Sequence, residues 1–159
     1  MSISSLQAEL RSYRDASSRA SGDIAAETFA ISAIDAQLLG KNAQLLQAKG
    51  VLGQCEGLRE KCETLDSAAE NLGAMVASAL VEEGAKTAAT SLTSGNSRLV
   101  EQAIRGASSV VSTLQGDIDT LNLQRAGAIE RREKAQARKD AAERNIARTR
   151  WAIGSTPRS

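Results

Sequence analysis

Histidine is absent from the 159 residues. With it go the usual general base near neutral pH, the commonest metal ligand and every Ser–His or Cys–His nucleophile pair. Two cysteines without histidine cannot complete a tetrahedral zinc site from thiolates, so no metal and no cofactor is expected. Aromatic residues are equally scarce: Tyr13, Phe29 and Trp151 are the only three, which leaves Ala, Leu, Ile and Val to supply burial in a chain that is 42% hydrophobic. The single proline, Pro157, stands three residues from the end, so nothing before it carries the strongest helix breaker. Uncharged stretches such as Asn71 to Val81 fall far short of the ~20 apolar residues that cross a bilayer, which excludes a transmembrane helix. The opening Met1-Ser2-Ile3-Ser4-Ser5-Leu6-Gln7 has neither a basic nor a hydrophobic signal-peptide region. Synthesis in the cytoplasm follows, with any export independent of a signal peptide.

What is present is heptad spacing. In the middle of the chain Val51, Cys55, Leu58, Cys62, Leu65, Ala69, Leu72 and Val76 alternate steps of four and three, the seam of paired helices. A second seam runs Val100, Ile104, Ala107, Val111, Leu114, Ile118 and Leu121. It then continues with shifted phase as a thinner stripe through Ile129, Ala135, Ala142 and Ile146. The N-terminal seam reads Leu6, Leu10, Tyr13, Ser17, Ala20, Ile24, Glu27, Ile31, Ile34, Leu38, Lys41, Leu45, Ala48 and Leu52. Its polar members Ser17, Glu27 and Lys41 are read either as register-fixing residues or as imperfect periodicity.

The fold class expected is all-α, an elongated coiled-coil-like helical hairpin or a three-helix bundle. One domain, 1–153, would hold helices over about 4–50, 51–93 and 97–152, followed by a disordered tail at 154–159. Ser4 with Gln7 matches a capping box at the start. Ser94-Gly95-Asn96-Ser97 reads as the main reversal. Gly50, Gly53 and Gly57 gather where the seam slips by one residue from Leu52 to Val51, consistent with a kink or a second turn. Cys55 and Cys62, seven residues apart, cannot bridge within one helix. They read as small core thiols, or as an interchain pair in a parallel homodimer.

Charge divides the chain. Residues 1–90 carry 8 Lys/Arg against 12 Asp/Glu, and residues 91–159 carry 12 against 7, as suits segments that fold back on each other or meet complementary surfaces. Glu56, Glu60 and Glu63, interleaved with Arg59 and Lys61, read as a solvated face, and no phosphate-binding glycine motif occurs around Gly50. The basic run from Arg131 to Arg150 is threaded with Glu130, Glu133, Asp140 and Glu143, and pairs such as Glu130–Lys134 and Asp140–Arg144 would neutralise it. Without stacking aromatics nearby, nucleic acid is not the expected partner; anionic-polymer binding through that helix is kept as a third reading. Catalysis has no residues to rest on, so the expected function is protein binding. Ala68, Ala74, Ala77, Ala103 and Ser108 widen the apolar face beyond a two-stranded stripe, and Trp151, a large apolar side chain near the end, reads equally as a cap on the bundle or an anchor for a partner. These are the candidate partner-binding residues.

A heptad helix that begins at once after Met1-Ser2-Ile3-Ser4-Ser5-Leu6, an Ala/Ser/Gly-rich middle and a basic helical close resemble the small helical WXG-like proteins of bacterial type VII secretion. The resemblance implies an adaptor or targeting chaperone that bundles with an exported LXG-type effector, together with a second small helical protein. The chain departs from that pattern: it has no central Trp-x-Gly, and Trp151 is followed by Ser155 in place of an acidic residue. The rival expectation is a self-associating coiled coil, a homo-oligomeric filament or virion component.

Overall fold

The computed structural model describes the backbone of residues 2–77 and 83–155, and the side chains within them except at 69 and 72–94. Two helices account for nearly all of it: α1, Ile3–Ala77, and α2, Glu83–Ser155. No strand occurs among the described residues. The helical hairpin is therefore the architecture, and three boundaries expected from sequence differ. One helix of 75 residues runs unbroken through 47–53, so of the two architectures expected the hairpin without a second turn is the one present. Ser94-Gly95-Asn96-Ser97 lies inside the 73-residue α2. The third helix, expected to end at 152, continues to Ser155; the remainder of the tail expected to be disordered lies outside the described residues.

These departures share a physical cause. An isolated glycine costs a helix only about 1 kcal/mol relative to alanine, while propagation through good neighbours gains a hydrogen bond per residue. Gly50, Gly53, Gly57 and Gly95 adopt ordinary helical backbone, and a Cβ built on any of them meets nothing within 4 Å. At the N-terminus the cap sits two residues earlier than expected. The Ser5 amide donates to Ser2 Oγ (3.2 Å), and the Leu6 amide to the Ser2 carbonyl (3.2 Å).

The hairpin divides into two compact units, a terminal unit of Met1–Leu39 with Asp119–Ser159 and a middle unit of Gly40–Ile118. In the terminal unit, pairing is antiparallel: Asp23 meets Arg138, Glu27 meets Arg131, and Asp35 meets Arg125. Its core holds Leu6, Ala20 and Ile31 from α1 against Leu121, Ala128, Ala135 and Ala142 from α2. Ala128 and Ala135 are wholly buried, so the helices meet over small side chains.

In the middle unit, order is again antiparallel: Lys41 meets Asp117, Arg59 meets Glu101, and Asp66 meets Ser97. Among its described side chains the buried ones are Leu45, Leu114 and Ile118. Among the described side chains, none between residues 46 and 113 is buried.

Candidate docking surface

The partly covered positions show which side of each helix faces the other. Every member of the N-terminal seam from Leu6 to Leu52 is buried or half-buried. The covered stripe then keeps that same frame through Cys55, Cys62 and Asp66, all half-buried. On α2 it runs without a phase shift from Ser97 through Val100, Ile104, Ala107, Val111, Leu114, Ile118 and Leu121. Beyond them it continues through Arg125, Ala128, Arg132, Ala135, Lys139, Ala142, Ile146, Thr149 and Ile153. Three of those later positions are cationic, and their aliphatic stems supply the cover while the charged heads reach outward.

The slip from Leu52 to Val51 is therefore not a break in the helix. It is a rotation of the apolar stripe away from α2. Val51, Leu58 and Leu65 lie three or four residues from Ala48, Cys55 and Cys62, and so flank the covered stripe on one side. They are exposed, Leu58 at 50% and Leu65 at 62%. On α2 exposed Ala103 and Val110 flank half-buried Ala107 in the same way, and Leu99 is exposed close by. Gln44, Gln47, Ala48 and Val51 join Ala107, Val110 and Leu114 around one open groove of about 390 Å³. The flanks of both helices thus belong to one side of the middle unit.

Charge is segregated across this unit. On the groove side, the surface positions of 43–71 and 95–116 include Gln44, Gln54, Thr64, Ala68, Gln102, Gly106 and Thr113, with Lys61 the only charged residue there. On the opposite side stand Lys49, Glu56, Glu60, Glu63, Arg98, Glu101 and Arg105. Arg59 reaches toward that opposite side, 3.7 Å from Glu63 and 4.0 Å from Glu101.

The grooves of the terminal unit are built differently. They are lined by Asp23, Glu27, Arg131, Lys134 and Arg138, and by Tyr13, Arg19 and Asn145. Arg131 clasps Glu27 with both Nε (2.8 Å) and Nη2 (3.1 Å), and Arg138 donates to Asp23 (3.0 Å). The hydrogen bond from Arg131, with its positive charge, holds the Glu27 carboxyl below the usual range and raises Arg131 in return. Lys134 does the same to Glu130 within α2 (2.5 Å). Asp140 accepts from Gln136 (2.7 Å) in place of the ion pair with Arg144 read from spacing. Arg131, Lys134 and Arg138 of the basic run are thus engaged by carboxylates, and Lys139 lies 3.9 Å from Glu143.

The residues singled out for partner binding are not one site. Ala68 and Ala103 are exposed on the uncharged groove side. Ser108 is exposed on the charged side. Ala74 and Ala77 belong to the end of α1, with side chains outside the described residues. Trp151 is 75% exposed in the terminal unit, so it caps no core. Val110 and Leu99 were missed because neither falls on a heptad seam. Their signal was the uncharged flank itself, from Leu99 to Gly116 only Glu101 and Arg105 being charged.

Cys55 and Cys62 are free thiols on the covered stripe. Among the described residues no cluster of three potential metal ligands occurs, and no helix is long and apolar enough to cross a membrane. No family model, curated protein or solved structure matches the chain.

Proposed function

We propose that this chain is a non-enzymatic helical docking protein whose middle unit packs its uncharged side against further helices. One observation carries the reading. The apolar stripe of α1 turns away from α2 after Leu52, exposing Val51, Leu58 and Leu65 where no described side chain from 46 to 113 is buried. Two helices with one narrow seam bury little; added helices would cover the second stripe and complete a coiled-coil-like bundle.

The resemblance to type VII secretion proteins gives this reading a specific form. The added helices then belong to an exported effector, and the chain acts as its adaptor. Coexpression with gene neighbours that encode long helical regions tests it. A heteromeric complex that Leu58→Glu with Leu65→Glu abolishes, and Glu63→Lys leaves intact, is expected. A folded monomer indifferent to every such partner would overturn it.

Anionic-polymer binding through Arg131 to Arg150 is less well supported, since four cations there lie within ion-pair distance of carboxylates.

A further inference from the structure

We infer that the groove side of the middle unit is the contact between two copies of this chain, which stack hairpin on hairpin through it. The inference rests on the docking reading above and takes a second copy, in place of an effector's helices, as what covers that side.

Charge is the first argument. In a two-fold contact the same patch meets itself, so any net charge it carries is doubled and faces its own sign. A protein surface rich in Lys, Arg, Asp and Glu fails that requirement. This side meets it over the described residues 43–71 and 95–116, where Lys61 alone is charged, and the adjoining Asp117 is paired with Lys41 within its own copy. The opposite side of the same two helices, with Glu56, Glu60 and Glu63 on α1, does not meet it. A partner recognised by opposite charge would need more than the single Lys61 that this stretch presents.

Continuity with the intramolecular interface is the second. Val51, Leu58 and Val110 directly border half-buried Ala48, Cys55 and Ala107, so a second hairpin laid over them would extend the existing seam and bury residues now half-covered.

Geometry is the third. A two-fold axis parallel to the helices sets α1 of one copy beside α2 of the other, running in opposite directions, so that all neighbours are antiparallel. The Arg59–Glu101 pair puts Leu58 at about the level of Ala103, and Val51 shares the groove with Val110. Leu58 of one copy then falls opposite the small Ala103 of its partner copy. Gly106 sits on the same side with open space over its Cα, and so lets backbones approach closely.

Light scattering on the purified full chain, coupled to gel filtration across a concentration series, tests this. Twice the 16.7 kDa chain mass is expected. Val51→Glu with Leu58→Glu should weaken self-association about 100-fold, since each buries an unpaired charge. Gly106→Arg gives the same result by an independent route. It replaces a helix-interior glycine facing open space, so the hairpin keeps its helicity by circular dichroism while the face gains a self-repelling charge. Glu63→Lys, on the opposite side, should leave the dimer unchanged. A dimer insensitive to the groove variants overturns the inference. So does a monomeric wild type, in two distinguishable ways. If that monomer binds a coexpressed helical protein through Leu58 and Leu65, the docking reading stands and the second copy is the wrong occupant. If it binds none, both fail.

Discussion

At the scale of single residues, polar side chains on an apolar seam have a visible purpose. Glu27 and Lys41 interrupt the N-terminal seam, and each meets an opposite charge on the other helix, Arg131 and Asp117 (2.7 Å). A one-heptad slip would set Gln124 or Arg138 opposite Glu27 and Gln124 or Val110 opposite Lys41, so neither slip keeps both ion pairs and together they favour one register. Because Arg131 holds the Glu27 carboxyl below its ordinary 4.5, Glu27 stabilises the fold in its ionised form. That contribution is complete above the unfolded value and is lost as pH falls through the lowered folded one. Glu27→Gln should therefore be less stable than wild type at neutral pH, with the gap closing as pH falls below the ordinary carboxylate range of about 4.5. Urea unfolding followed by circular dichroism at each pH measures it; a gap that stays constant with pH would contradict the assigned role.

Among the elements, the long helices are the part of the fold that sequence states most fully. Lack of proline before residue 157 and the fourteen-member seam from Leu6 to Leu52 identify α1 over its first two thirds, and every seam residue is covered. What sequence misreads is the meaning of irregularity. A one-residue slip beside three glycines has two physical origins, a broken helix or an apolar stripe that turns around an intact one, and spacing alone does not separate them. Likewise Arg125, Arg132 and Lys139 hide the later seam of α2, because pattern reading assigns a cation to the outside while its stem packs inside. The docking surface was half legible: Ala68 and Ala103 were picked from their small size, whereas Val51, Leu58 and Leu65 were assigned to a covered seam. Gly53→Ala distinguishes the two origins of the slip. In an unbroken helix with open space at Gly53 it should stabilise the chain by about 0.5–1 kcal/mol. Thermal unfolding reads the effect, and a turn conformation at Gly53 would reverse its sign.

For the molecule as a whole, burial is distributed unequally between the units. Among the described side chains, the terminal unit buries seven apolar residues spread over both of its segments, and the middle unit buries three, all within residues 45 and 114–118. Local opening free energy follows such contacts. In dilute solution, amide hydrogens of 52–71 and 95–113 should therefore exchange faster than those of 20–35 and 121–142. Exchange with mass-spectrometric readout measures this, and uniform protection along both helices would refute it.

Sparse burial among the described side chains of 46–71 and 95–113 has a consequence for the lifetime of the chain in a cell. Where a stretch gains its cover only on assembly, proteases meet an opened form whose population falls as the assembled fraction rises. Surplus subunits are then cut within the middle unit while assembled ones persist, so abundance is set by how much of the protein has found its place, without any dedicated degradation signal.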